Sequence, residues 1–388
     1  MSETRHTTKN TAEYLRKYAA KVHSVTQSVY QKIKNGEAIK TIKSAAQKIN
    51  MHAIRAAYKK FRSGIKSLLR KYYKACKRFF RKLSSSWKML LICVPTFLFC
   101  YYGIGAFVTE NTDVTTEYRL REKHIPTFET ALGMSFLIKQ EVDDKMWTPN
   151  LPFVFPAYIL DNMPNFQIGV IGAVKDIASV MRKFDQNTDA QKKEIKKAYQ
   201  YLLYSPKIWL MTRKGKFNLA PSSNAQYRKA AAELYQFGKD GVYYAKAADL
   251  DALLRKINTG LLNLAGRNET QQSEHATDWT DTKSDDLFYY NRGYAYAMWQ
   301  ITKVMGADYR EIILKHNIYT EWTYLVGSLK KAAELKPAVV RNGTAKSMFT
   351  PNHLIMQNYY LLRAITAAEK IRNKLSEEMR KEDNADKN

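Results

Sequence analysis

The residues best placed to do chemistry are Asp285 and Asp286, followed at one and two helical turns by Tyr289 and Arg292. Adjacent carboxylates can push their pKa values apart, which would let one serve as an acid and the other as a base in an envelope hydrolase. The same pair at a helix start has a plainer role, accepting free backbone N–H groups as a cap and complementing the helix dipole. Asp143 with Asp144, and Asp249 with Asp251, carry that plainer reading too. The histidines His124, His275, His316 and His353 stand singly. Ser222 and Ser223 after Pro221 have the form of a turn and helix cap, and no base can be paired with either. A nucleophile elbow, a glycine-rich phosphate loop, a His-x-x-x-His pair and a Cys-x-x-Cys pair are all absent. The sequence therefore assigns no catalytic residue, no metal ligand and no cofactor.

The distribution of charge is more informative. The 388 residues carry 63 Lys and Arg against 36 Asp and Glu, a net +27. Residues 1–88 hold 23 basic side chains against Glu3, Glu13 and Glu37, so +20 of the charge sits there and only +7 in the remaining 300 residues. The break falls at an uncharged stretch, 89–108 (MLLICVPTFLFCYYGIGAFV). Twenty residues at a helical rise span roughly 30 Å, the hydrocarbon thickness of a bilayer. Trp87 before the stretch and Tyr101 and Tyr102 towards its far end suit a partial aromatic belt. Pro95, Gly103 and Gly105 are tolerated in such spans.

The flanks set an orientation. Arg70, Lys71, Lys74, Lys77, Arg78, Arg81, Lys82 and Lys88 precede the stretch closely, whereas Arg119, Arg121 and Lys123 after it are offset by Glu110, Asp113, Glu117 and Glu122. An excess of Lys and Arg marks the cytoplasmic side. The expectation is an uncleaved signal anchor at 87–108, with the N-terminus cytoplasmic and the C-terminal domain periplasmic, in a bacterial inner membrane. Cys76, Cys93 and Cys100 all precede residue 109, so the following domain must be held by its core without disulfides.

Residues 1–86 form a Lys-rich arm in which Ile54, Tyr58, Phe61, Ile65, Leu68, Tyr72, Ala75 and Phe79 trace one apolar helical stripe. Three partners suit it: the anionic inner leaflet, through Lys71, Lys74, Lys77, Arg78, Arg81 and Lys82; a partner helix; or nucleic acid. Over residues 1–88 lysine outnumbers arginine 16 to 7, which favours a diffuse electrostatic role over base readout by bidentate arginines. The lipid surface is the leading expectation.

Beyond a linker at 109–125, the apolar spacing of 126–377 is helical nearly throughout. Phe166, Val170, Ala173, Ile177, Val180 and Phe184 make one stripe, starting near Pro164 and Asn165. Leu250, Leu254, Ile257, Leu261 and Leu264 make a second, with Gly266 as its expected C-terminal cap. Tyr294, Ala297, Ile301 and Val304 follow Asp285 and Asp286; then come Trp322, Leu325, Leu329 and Ala332, and finally Leu361, Ile365, Ala368, Ile371 and Leu375. The polar stretch 267–284 is expected to be a loop or subdomain seam, 378–388 a disordered tail, and 151–155 and 207–210 the weak strand candidates. The fold class is thus all-α: one membrane helix, preceded by a basic amphipathic arm and followed by a bundle of seven to nine helices.

Several short motifs in fixed order carry a resemblance. They are Asp161, Asn162, Pro164 and Asn165 within LDNMPN, then Pro221, Ser222, Ser223, Tyr227 and Arg228. Asp285, Asp286, Tyr289, Arg292 and Gly293 follow, then Asp308, Tyr309 and Arg310, then Asn342 and Gly343, and last Pro351, Asn352 and His353. Over roughly 126–375 the chain resembles an uncharacterised bacterial family, domain of unknown function 2333. The resemblance implies a single-span inner-membrane protein with a mostly helical domain outside the cytoplasm, and it implies no reaction. The arm 1–86 lies outside it, and 143–150 (DDKMWTPN) lacks the glycine-rich turn it leads one to expect. The expected function is non-enzymatic: an anchored envelope domain that binds or scaffolds a protein partner. The rivals are the hydrolase and cytoplasmic nucleic-acid tethering by the arm.

Overall fold

The helix at the centre of the molecule is nearly buried all round, which is why its sequence shows little amphipathic contrast. In the computed structural model, which describes residues 66–67, 70–74, 85–120, 127–210, 220–239, 245–275, 282–337, 339–343 and 351–385, this is the seventh of the ten α-helices from Ser85 onward. In chain order they are α1 (Ser85–Thr109), α2 (Glu129–Lys139), α3 (Asn162–Met181), α4 (Asp189–Leu202), α5 (Ser223–Lys239), α6 (Ala247–His275), α7 (Thr282–Asp308), α8 (Arg310–Lys315), α9 (Tyr319–Glu334) and α10 (His353–Ala385). A π-helical turn (Gln140–Asp144) extends α2, and a 3-10 turn (Pro156–Ile159) precedes α3. No strand occurs among the described residues; Asn342 and Asn352 share one isolated bridge, and the stretches 151–155 and 207–210 are turns and bends.

The chain divides into the compact units Met1–Cys93 and Val94–Asn388. In the first, Lys71 and Lys74 lie on short exposed helical pieces, while Lys77, Arg78, Arg81 and Lys82 fall outside the described residues. In the second, α7 packs against α3, α9, α2 and α6, with α10 covering α6 and α9, and α5 joining α2 to α4. The apolar stripes read from the sequence are the core: Phe166, Val170, Ile177, Leu254, Leu261, Ile301, Leu329, Leu361 and Ile371 are all buried in one cluster.

Two glycines let α3 and α7 meet backbone to backbone. A Cβ on Gly293 would stand 1.9 Å from the Phe166 carbonyl oxygen, and one on Gly169 would stand 2.1 Å from that of Tyr290. Only a residue without a side chain permits that approach.

Three boundaries differ from the sequence reading. α3 begins at Asn162 with Asp161 as its N-cap, because Pro164 fits within a first helical turn where N–H groups have no intrahelical partner. α6 continues through Gly266 to His275, so most of the stretch expected as a loop is helix, held by packing against α10; residues 276–281 lie outside the description. α10 runs on to Ala385 where a disordered tail was expected. The linker has no regular structure over 110–120, yet it is packed: Val114 joins the core, and the carbonyls of Thr112 and Thr116 accept from Arg292 and Tyr296.

Candidate functional site

On a helix, positions 285, 289 and 292 share one face, and 286, 290 and 293 the next. The fold gives these two faces different surroundings. On the second face, Asp286 and Tyr290 line an open cleft of about 760 Å³ between α6 and the start of α7, with Asn165 from α3 at its edge. Asn165 donates to Asp286 at 2.7 Å and to the Asp161 carbonyl at 2.9 Å. Across the cleft, the Arg267 guanidinium lies 5.1 Å from the Tyr290 ring centre. Lys283, Asn263, Gln271 and Thr270 add to a lining that mixes both charge signs with amides and a hydroxyl beside the apolar Leu262 and Leu287. Such a lining can orient a polar ligand or peptide, but it brings no nucleophile against a base.

The first face meets the chain leaving α1. Asp285 is partly buried, and burial followed by the nearby charges of Asp161, Asp286 and Glu110 raises its carboxyl from 3.8 to about 6. Burial and Asp161 also raise Asp286, against the opposing pull of Asn165 and Lys207. The helix begins at Thr282, so neither aspartate is its cap. Tyr289 is buried with Phe288 and Leu354 in a satellite core, and burial and the Asp285 charge raise its phenol. Arg292 is 1% exposed and donates to the carbonyls of Ala333 at 2.8 Å and Thr112 at 3.0 Å. It holds the post-α1 segment and the end of α9 together. Of the four residues first considered for hydrolysis, only Asp286 lines the cleft. Among the described residues no group of three His, Cys, Asp or Glu side chains could hold a metal ion.

The two motifs around Asn165 and Asp286 therefore meet directly, although 121 residues separate them in sequence. A family model for an uncharacterized protein conserved in bacteria, domain of unknown function 2333, matches residues 152–269 and 257–378. The chain belongs to this family. No curated protein and no solved structure matches it. The matched segments contain every motif position from Asp161 to His353, whereas α1, the basic arm and 126–151 lie outside them.

The remaining family motifs are mostly structural joints. Ser222 accepts from the Ala225 N–H at 3.3 Å, the capping role expected of it, and the Pro221 carbonyl accepts from Tyr204 at 2.7 Å. Tyr227 is buried against Trp147, its hydroxyl donating to the Tyr204 carbonyl at 2.8 Å. Asn352 accepts from the Ile355 N–H at 2.9 Å at the start of α10 and donates to Asn342 at 3.1 Å. Gly343 donates its N–H to the Pro351 carbonyl at 3.3 Å, and its own carbonyl accepts from Asn352. Asn342 reaches the cleft rim by donating to the Gln271 carbonyl at 3.2 Å. His353 Nδ1 accepts from the Arg341 N–H at 2.9 Å, so that nitrogen is unprotonated, and burial and Arg341 lower its pKa. Asp308 accepts from the Glu129 and Thr130 N–H groups at 3.0 and 2.7 Å, capping α2 from a distance; burial lifts it to about 7 against those bonds.

Sequence reasoning missed the layer behind the cleft. Asn291 donates to Asn268 at 2.7 Å and to Gln357 at 3.1 Å, and Gln357 donates to the Phe288 carbonyl at 3.1 Å, tying α6, α7 and α10 together. All three amides are buried. Asn268 opens an Asn-x-Thr triplet, and its burial excludes it as a glycan acceptor in the folded chain.

Proposed function

We propose that this protein is anchored in the bacterial inner membrane by α1, with the basic arm on the cytoplasmic leaflet and the helical domain outside, where it binds or scaffolds a protein partner. The surface of α1 carries the proposal. Only 6% of its apolar 18-residue window is buried by the rest of the protein, and Phe99 and Phe107 are 79% and 82% exposed. A core helix of a soluble protein would be covered. The charge step of +20 before α1 against +7 after it supports the orientation.

Two surfaces of the domain suit a partner. One is the cleft of mixed charge. The other is an exposed tyrosine patch on α9 and α10, where Arg363 sits 4.6 Å from the Tyr324 ring centre and 5.3 Å from that of Tyr359. Tyrosine and arginine are the side chains that dominate protein-binding hot spots. A photo-crosslinking residue at Lys283 or Tyr359 of the full chain should capture a discrete envelope protein in living cells. Absence of any adduct from both positions would contradict the scaffold reading.

One observation favours the hydrolase as a second reading: Asp285, held at about 6, is matched to proton transfer near neutrality. Turnover of an ester, amide or glycoside probe that disappears in both Asp285→Asn and Asp286→Asn would promote it.

A further inference from the structure

Residues 151–160 (LPFVFPAYIL) contain no charged or amide side chain. They form a turn and a 3-10 segment, not a core element, and they leave Phe153 (68%), Val154 (52%), Tyr158 (56%) and Ile159 (54%) exposed. Soluble domains do not ordinarily spend so compact a run of large apolar side chains on water. The loop lies against the outer part of α1. Tyr101 donates its hydroxyl to the Val154 carbonyl at 2.8 Å, and Tyr102 donates to the Phe153 carbonyl at 2.5 Å. Pro156 abuts Gly105, where an added Cβ would stand only 2.4 Å from the proline Cβ.

We infer that this loop inserts into the hydrocarbon of the outer leaflet beside α1, as a second and shallower membrane contact of the helical domain. The inference rests on the anchored reading of α1. Depth is the first argument. Glu110 is the first charge after the helix, and Gly105 and Tyr101 lie five and nine residues before it, about 8 and 14 Å deeper at the helical rise. A loop touching those residues lies within the same leaflet. Backbone satisfaction is the second argument. Irregular chain is tolerated at membrane depth only where its polar groups find partners within the protein. The tyrosine hydroxyls cover two of its carbonyls, and the N–H groups of Phe155, Tyr158 and Leu160 donate to the carbonyls of Pro152, Phe155 and Ala157. The third is an aromatic edge: Trp209, 42% exposed, meets Phe155 edge-on at 6.5 Å, in the position of an interfacial anchor.

The test uses the full chain in vesicles of phosphatidylethanolamine and phosphatidylglycerol. Cys76, Cys93 and Cys100 are replaced by serine, and Phe153→Cys carries a polarity-sensitive fluorophore. A parallel protein keeps Cys100 as its sole labelled site, and a third carries the label at Lys193→Cys on the exposed side of α4. Because hydrocarbon excludes iodide, the label at 153 should be quenched by acyl-chain nitroxide roughly threefold or more above iodide, with blue-shifted emission, as at 100 and opposite to 193. A lipid-quenched label at 100 with an iodide-quenched label at 153 overturns the loop while leaving the anchor standing. A label at 153 reached by neither quencher is covered by protein and overturns the loop equally. Iodide quenching at both 100 and 153 overturns the anchor along with it.

Discussion

Replacing Asp285 by Asn should stabilise the protein increasingly as pH rises above about 4, with the full gain reached above about pH 6. Its carboxyl is raised from 3.8 to about 6, because burial and the charges of Asp161, Asp286 and Glu110 disfavour ionisation in the folded state. The fold thus binds a proton at Asp285 more tightly than the unfolded chain does. Below pH 3.8 both states are protonated and the site costs nothing. As pH rises through that value and then through about 6, the folded state must either hold the proton or accept a repelled carboxylate, and stability falls. The gap corresponds to about 3 kcal/mol, and screening of a partly exposed carboxyl reduces it to about 1–2 kcal/mol. The assay is urea denaturation of the full chain in detergent micelles, from pH 4 to pH 8, for wild type and Asp285→Asn. The variant should exceed wild type by about 1–2 kcal/mol at pH 8, with the difference vanishing near pH 4. An equal or lower stability of the variant at pH 8, with the pH slope unchanged, would refute the reasoning. A gain would also mean that the natural aspartate is kept at a cost in stability, as residues retained for binding or chemistry often are.

Other substitutions follow from the same geometry. Gly293→Ala should cost about 3 kcal/mol by thermal or denaturant unfolding, the upper end for overpacking, because the atom it meets is the Phe166 carbonyl and α3 and α7 would have to separate. Gly266→Ala should instead stabilise by about 0.5–1 kcal/mol, since the residue is inside α6 with nothing within 4 Å of an added Cβ; a loss there would restore the helix end expected from the sequence. Arg292→Met should cost about 2–4 kcal/mol by stranding the Thr112 and Ala333 carbonyls, and should open 110–120 to limited proteolysis; unchanged cleavage would mean that the segment is held by other contacts.

How far the sequence could be read depended on where burial was uniform. The stripes beginning at Phe166, Leu250, Trp322 and Leu361 were legible because each helix shows the core only one face. α7 was half legible: Tyr294, Ala297, Ile301 and Val304 gave a stripe, but Asn291, Arg292, Gln300 and Thr302 look like a solvent face and are buried. Arg292 bonds to Thr112 and Ala333 and Asn291 to Asn268, partners on other elements that leave no local signal. Gly266 misled because a glycine after an apolar stripe normally ends a helix, whereas here α10 gives α6 a surface to continue along. The pairing of Asn165 with Asp286 was legible only as two motifs of one family, not as a contact. The run 151–155 looked like a weak strand because alternation cannot be judged over so few apolar residues, and its neighbours Tyr101 and Tyr102 lie some fifty residues earlier.

The side of a membrane on which the helical domain lies is read by paired reporters fused after Asn388. An anchored domain outside the cytoplasm gives an active alkaline phosphatase fusion, a dark green-fluorescent-protein fusion, and full retention of the chain in carbonate-washed membranes. A fluorescent fusion with inactive phosphatase, or release of the intact chain by carbonate, would contradict it.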